Sequence, residues 1–289
     1  MEIGANNINN TELVSSNYSS ENTSKYHLSI EIGLGIFSYA ILDTTNKICK
    51  TIASYKIDSI DINKNIEYIS NIYNNKNILR NSFQSTSIGF AYFPNTLIPS
   101  SYFSKKEDNN MMLEFNHDLQ NTSIIEDKLN IVEAYNIYAI PTPILDMINT
   151  FFPETKITSN SSTLIEYLAK YHTSRNDKKL FLSVGRDYIE IIIFKGGNLL
   201  LQNIFQYHNK EDVLYYVLFC MQELDLSTEN DSVILLDNIR RNDDIFSILY
   251  EYIRNISFIK RSTEFSMPEE LNNIEQHQYT SLLDKILCA

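Results

Sequence analysis

The chain has 289 residues, with 24 basic against 36 acidic side chains and a formal net charge of -12. Its basic residues form only isolated pairs such as Lys178-Lys179 and Arg240-Arg241, which argues against a nucleic-acid or anionic-lipid surface, because both need clustered Lys and Arg. Seven glycines, where an average composition of roughly 7% would give about twenty, leave few for the glycine-built phosphate cradles of nucleotide enzymes.

Residues 1–25 are rich in Asn, Ser, Thr and Glu and read as a flexible polar tail, without the charged and apolar regions of a signal peptide. No apolar run approaches the roughly 20 residues needed to span a bilayer. The three cysteines, Cys49, Cys220 and Cys288, have no short spacing, so neither a disulfide framework nor a metal knuckle is indicated. Cys49 and Cys220 read as buried small hydrophobes. Together these features predict a cytoplasmic protein.

Residues 28–57 (LSIEIGLGIFSYAILDTTNKICKTIASYKI) align without a gap to the segment from Leu180 (LFLSVGRDYIEIIIFKGGNLLLQNIFQYHN), at a constant offset of 152 residues. Leu28 meets Leu180, Gly33 meets Gly185, Ile41 meets Ile193, Asn46 meets Asn198 and Tyr55 meets Tyr207. Each copy shows three β-rich runs separated by two turn signals, and so predicts a three-stranded antiparallel meander.

After the first meander, Asp61 opens a helical pattern carried by Ile62, Ile66, Ile69, Ile72 and Tyr73, and residues 85–93 read as a strand. The intervening stretch predicts strands at 111–116 and 131–140 and helices at 142–152 and 161–171. After the second meander, Asn209 and Asp212 supply a cap and an acidic first turn for a helix over 213–224. That helix is apolar nearly all round, which predicts burial on more than one side. A buried strand over 232–236, a helix over 245–253 and an edge strand over 256–260 follow. The C-terminal segments 269–274 and 279–287 are short and amphipathic, with Leu282, Leu283, Ile286 and Leu287 on one stripe, and read as docking back on their own domain.

Three strands, a helix, a strand, a helix and a strand, occurring twice, is the order of the ribonuclease-H-like unit in its duplicated, actin-like form. The predicted fold class is therefore α/β: an actin-like ATPase fold of two ribonuclease-H-like domains, with mixed sheets flanked by helices and a cleft between them. The domains are placed at 26–175 and at 176–289, the latter with the C-terminal helical segment. The order of segments, and above all residues 199–225 (LLLQNIFQYHNKEDVLYYVLFCMQELD), resembles an uncharacterised bacterial family, domain of unknown function family 3822. The resemblance covers nearly all of residues 26–260. It implies an actin-like fold and no known activity.

Actin-like ATPases place an Asp two residues before a Gly in the first hairpin of each half, where a carboxylate can orient Mg²⁺ or its waters and backbone N–H groups hold phosphates. Here the first copy has Glu31 and Gly33, and the second has Ser183 and Gly185. Asp187 lies past the second glycine and reads as a turn residue. Such ATPases receive adenosine at a Gly-Gly pair after the strand of the second half; this chain has Leu236, Asp237, Asn238 and Ile239 there, and no glycine after Gly197. There is no P-loop and no nucleophile elbow. The five histidines match no metal-ligand spacing.

The sequence thus predicts a pseudoenzyme: a non-catalytic actin-like scaffold that binds a protein partner, with no catalytic residues, no metal and no cofactor. Two alternatives stay open. One is an actin-like ATPase that uses ATP and Mg²⁺ at an altered site, with Glu31 and either Asp187 or Asp237 as carboxylates. The other is a small-molecule sensor using the cleft. The low-glycine count fits the first reading: five of the seven sit in the turns of the meanders, and none stands where adenosine would be received.

Overall fold

The computed structural model describes residues 10–283 and 286, apart from 105, 116, 118, 154 and 176; the side chains of 106–108 also lie outside the description. Residues 1–9, Leu287 and Cys288 are among those not described. The chain divides into two compact units. The first takes the described residues of Asn9–Glu166, Thr263–Asn273 and Leu282–Ala289; the second takes those of Tyr167–Ser262 and Ile274–Ser281.

In the first unit, β1 (Thr11–Val14), β2 (Tyr26–Gly33), β3 (Ile36–Asp43), β4 (Ile48–Lys56), β5 (Ser85–Ala91) and β9 (Lys156–Ser159) form one sheet in the order β1-β4-β3-β2-β5-β9. The central strands are buried on both faces, so they read as continuous Ile, Leu and Phe runs. Helices α1 (Ile62–Asn75) and α3 (Thr142–Phe151) pack Ile69, Ile144 and Ile148 against Ile30, Ile32, Phe37 and Ile88. The predicted polar tail is therefore corrected over its described part, residues 10–25, which holds a strand and a 3-10 turn; residues 1–9 lie outside the described residues. Thr11–Val14 pairs with β4, and Ser20–Lys25 is a 3-10 turn leading into β2. An alternating exposed and half-buried TELV strand needs little apolar content when it only caps a sheet edge.

Between β5 and α3 lies an inserted layer. It consists of β6 (Asn95–Pro99), α2 (Lys106–Glu114), β7 (Thr122–Leu129) and β8 (Ala134–Pro141), its sheet ordered β6-β8-β7. Where a strand is predicted at 111–116, residues 111–114 are instead the end of α2; residue 116 lies outside the described residues. Asn109 and Leu113 are buried four residues apart, while Met111, Met112 and Phe115 are exposed, which is burial at helical and not at strand spacing. Helix α4 (Asn160–Tyr171) closes this half of the chain, and the division between the units falls inside it, after Glu166.

The second unit repeats the plan with β10 (Lys178–Val184), β11 (Tyr188–Lys195), β12 (Asn198–Gln206), α5 (Lys210–Glu223), β13 (Ser232–Asp237), α6 (Asp244–Tyr252) and β14 (Ile256–Phe258). Its sheet runs β12-β11-β10-β13-β14. The first hairpins match residue for residue: Leu28 faces Ile41, and Leu180 faces Ile193. A β-bulge follows Ile41 in one unit and Ile193 in the other, the same point of the repeat.

Past the bulge the gapless alignment gives way. Phe37 faces Tyr55, whereas its counterpart Ile189 faces Phe205 and not Tyr207. The reason is the second turn, four residues (44–47) in the first unit and only Gly196-Gly197 in the second. Both of these glycines have positive φ, +61° and +84°, as a two-residue hairpin turn requires. The third strands are therefore equivalent at an offset of 150. A shift of two residues keeps every side chain on its original face, where a shift of one would invert the strand.

Helix α5 corrects a further expectation. Val213, Val217, Cys220 and Met221 are buried, but Tyr215 is 62% and Phe219 is 45% exposed, so only one side is covered.

Buried Asn65 of α1 ties the first hairpin to the helix. Its Oδ1 accepts from the Gly35 N–H at 2.9 Å, and its Nδ2 donates to the carbonyls of Ser59 and Asp61 at 2.8 Å. Asn65→Ala leaves a buried N–H and two carbonyls without these partners and lowers the stability of the first unit by about 2–3 kcal/mol. Urea unfolding measures this loss directly.

Candidate functional site

The first-hairpin residues of the two units have diverged in different ways. Glu31 is half-buried on β2, level with Ser38 on β3 and Gly89 on β5. Its Oε2 accepts from Nδ2 of Asn160, the first residue of α4, at 2.5 Å. Two residues on, Gly33 serves packing: a Cβ there would come within 3.1 Å of the Ala91 carbonyl oxygen and of the Ile36 side chain. A second half-buried carboxylate, which the sequence did not single out, is hydrogen-bonded to the residue preceding Asn160. Asp127 of β7 accepts from the Ser159 N–H at 2.8 Å and from the Tyr138 hydroxyl at 3.2 Å. Burial pushes its carboxyl above the ordinary range, against the lowering effect of hydrogen bonds from Ser162, Ser159 and Tyr138.

In the second unit Ser183 occupies the place of the first unit's Glu31. Its hydroxyl donates to Asp237 Oδ2 at 2.6 Å. Asp237 ends β13 with φ of +63°, a conformation that Asp tolerates better than most residues. Two more donors converge on it from the C-terminal segment: Ser281 Oγ to Oδ2 at 3.0 Å, and the Ser281 N–H to Oδ1 at 3.2 Å. The same segment caps the strand end through its backbone. The Asp237 N–H donates to the His277 carbonyl at 2.8 Å, and His277 Nε2 donates to the Ile239 carbonyl at 2.5 Å. That second bond fixes the proton of a neutral His277 on Nε2.

Burial raises the Asp237 carboxyl above its ordinary value, opposed by the donors from Ser183 and Ser281 and by neighbouring His277. Burial lowers the His277 imidazole, opposed by its bond to Ile239 and by Glu275 and Asp237. The ring of His277 lies 4.2 Å from that of Phe258, centroid to centroid. The Asp237 N–H and carboxylate and the Ile239 carbonyl are thus engaged by residues 277–281, while the Asn238 N–H donates to the Val184 carbonyl at 3.0 Å.

The remaining candidates are turn residues. The Gly185 N–H donates to the Tyr188 carbonyl at 2.8 Å, closing the hairpin, and the Gly185 carbonyl accepts from the Tyr207 hydroxyl at 3.0 Å. Asp187 is partly exposed, with its carboxylate 3.6 Å from Arg186 Nε and its carbonyl accepting from the Tyr207 N–H at 3.0 Å. Asp187 and Asp237 therefore have different partners. The sequence pointed to Ser183 and Asp237 separately, but not to their bond, nor to Ser281 and His277. The last two lie 44 and 40 residues beyond Asp237 with no motif to join them.

Among the described residues no group of three or more His, Cys, Asp or Glu side chains is placed to hold a metal ion. No described helix is long and apolar enough to cross a membrane. Cys49 and Cys220 are buried, and neither is in a disulfide among the described residues.

Two units built on the same β-meander, helix, strand, helix, strand plan define an actin-like ATPase fold. The chain belongs to the family described as "Protein of unknown function (DUF3822)", whose model matches residues 15–256. It is similar to a Bacteroides thetaiotaomicron protein with actin-like ATPase fold and unknown function: TM-score 0.76 and 25% identity, over 84% of this chain and 93% of that one. The PilM–PilN type IV pilus biogenesis complex contains a chain of the same fold, with TM-score 0.57 and 12% identity over 91% of this chain and 98% of that one. No curated protein matches the sequence.

The shifted groups give the strand end a pH signature. Because the folded state holds His277 below the ordinary imidazole value of 6.5, the unfolded chain takes up its proton first on acidification. Stability of the second unit should therefore fall as pH drops through 6.5. Asp237 acts in the opposite sense, since its raised carboxyl is protonated in the folded state before the unfolded one. Thermal unfolding across pH 4–8 should show His277→Gln losing the destabilisation below 6.5, and Asp237→Asn steepening it. Ser183→Ala, which removes one donor to a buried carboxylate, should cost about 1–3 kcal/mol.

Proposed function

We propose that this protein is a non-catalytic, actin-like scaffold that works by binding another protein. The observation that carries the reading is the occupied strand end of the second unit. Ser183, Ser281 and the His277 carbonyl engage Asp237, and the His277 ring engages the Ile239 carbonyl, at the place where a nucleotide of the actin-like ATPases would be received. A ligand there would have to displace at least three hydrogen bonds to a buried carboxylate, and leaving that carboxylate unpaired costs several kcal/mol. The serine at 183 supports the same reading, because a hydroxyl already committed to Asp237 does not replace the missing carboxylate as a holder of Mg²⁺.

A protein ligand is supported by the company the fold keeps. PilM, of the same fold, is found in a complex with PilN. The charge of -12 disfavours nucleic acid and anionic lipid as partners. The buried thiols of Cys49 and Cys220 support a place in the cytoplasm, and the family resemblance supports a bacterial source.

Titration calorimetry and thermal shift with Mg-ATP test this reading. A ligand present at a hundred times its Kd adds about 2.7 kcal/mol of stability, which for a unit of this size raises the melting temperature by several degrees. No such rise and no saturable heat are expected. Micromolar binding of Mg-ATP would overturn the proposal and restore the ATPase with an altered site.

A further inference from the structure

The duplication supplies an internal comparison for each sheet edge. In the first unit the third strand, β4, is covered by β1, which pairs antiparallel with it: Thr11 faces Ser54, Glu12 faces Ala53, Leu13 faces Ile52 and Val14 faces Thr51. In the second unit the equivalent strand, β12, is the last of its sheet, and among the described residues no strand covers it. At the offset of 150 fixed by the shared bulge, the positions that β1 covers correspond to residues 201–204.

Apart from the bulge at Leu200, this edge lacks the usual protections against pairing. It is nine residues long, and no Lys, Arg, Asp, Glu or Pro occurs between Asn198 and Gln206. Leu200, at the bulge, is 40% exposed. The Ile204 N–H is held by Oδ1 of adjacent Asn203 at 2.9 Å, a local bond that an incoming strand can exchange for a carbonyl. Beside the edge, Phe205 of β12 stacks on Tyr216 of α5 at 4.4 Å. From there Tyr215 and Phe219 continue an aromatic row onto the exposed side of the helix.

The chemistry of a strand that would pair with this edge follows from the same comparison. In the first unit Glu12 of β1 meets Lys76, the C-cap of α1, at 2.5 Å. Helices α1 and α5 both have 14 residues, so Lys76 corresponds to Leu224, the C-cap of α5. No basic residue lies in the last turn of α5, and exposed Glu223 stands beside the cap. A carboxylate and a helix C-terminus both favour a cation, so the charge requirement of β1 is reversed here.

We infer that the outer edge of β12 is a docking site for an extended, basic segment of a protein partner, which adds as an antiparallel strand across residues 201–204. Main-chain hydrogen bonds supply affinity and the alternate side chains supply selectivity. The residue opposite Asn203 is the basic one, and it lies toward the C-terminal end of α5. This goes beyond the proposed scaffold role by naming a surface and a class of ligand, and rests on that role only for the ligand's being a protein. No nucleotide enters its test, so the two can fail separately.

The probe is a labelled ten-residue peptide of residues 9–18 carrying Glu12→Lys, titrated with the full chain by fluorescence anisotropy, with the unsubstituted peptide beside it. Saturable binding is expected, about fivefold tighter for the basic peptide, as one exposed ion pair allows. Glu223→Lys should remove or invert that preference. Ile204→Pro, which deletes an outward N–H of an edge strand, should abolish binding. Asn203→Lys, an exposed substitution that leaves the backbone intact, should weaken the basic peptide selectively. Absence of saturable binding by either peptide up to about 1 mM, or binding that both edge variants leave unchanged, would overturn the inference. So would sedimentation of the wild type as a dimer that the edge variants dissociate, which would give the edge to a second copy of this chain.

Discussion

Strand parity is the constraint on which the rest of this structure depends. In both units the central strands bury both faces, so each is fixed against its neighbours by two sets of side chains at once. A slip by one residue would exchange those sets, while a slip by two returns each to its own face. The duplicated meanders follow that rule. Their first hairpins agree in register, the bulge after Ile41 recurs after Ile193, and the shorter Gly196-Gly197 turn moves the third strand by two residues. Tyr55 and Phe205 therefore sit on equivalent faces although the linear alignment places Tyr55 against Tyr207.

The same register places the chemistry. Parallel pairing of β10 with β13 sets Val184 against Asp237, which brings the hydroxyl of Ser183 to the carboxylate at the end of β13. An ionised carboxyl in that buried position is tenable only with donors around it. Ser183 and Ser281 supply them, and His277 clamps the turn that follows. The position that ATPases of this fold fill with a carboxylate holds a serine here. Its hydroxyl donates to an acid supplied from a different strand.

The two units also diverge at their margins, where neither parity nor core packing restrains them. One carries the inserted β6-β8-β7 layer, with Leu113 of α2 in its small core, and has its sheet edge covered by β1. The other keeps the bare plan, with a long uncharged edge strand and an aromatic row on α5. Substitution at a margin alters what a surface can bind at little cost to the fold, and the asymmetry between β4 and β12 is of that kind.

The repeat, the meanders, α1, α3, α5 and α6 were legible in the sequence, because period-two and helical hydrophobic patterns and the caps Asp61 and Asn209 are local signals. The short strands β1, β6 and β9 were not, since an edge or inserted strand of four or five residues needs no distinctive apolar pattern. Residues 111–116 misled for a related reason: Met111, Met112 and Phe115 are apolar yet face solvent, so composition pointed away from the helix that Asn109 and Leu113 anchor. Of the site, the sequence by itself determined what was missing, the second carboxylate and the adenosine-binding glycines. Only the tertiary structure decided what replaced them. The bonds from Ser281 and His277 to the end of β13 span some forty residues, and no local pattern encodes a contact made by bringing two distant segments together.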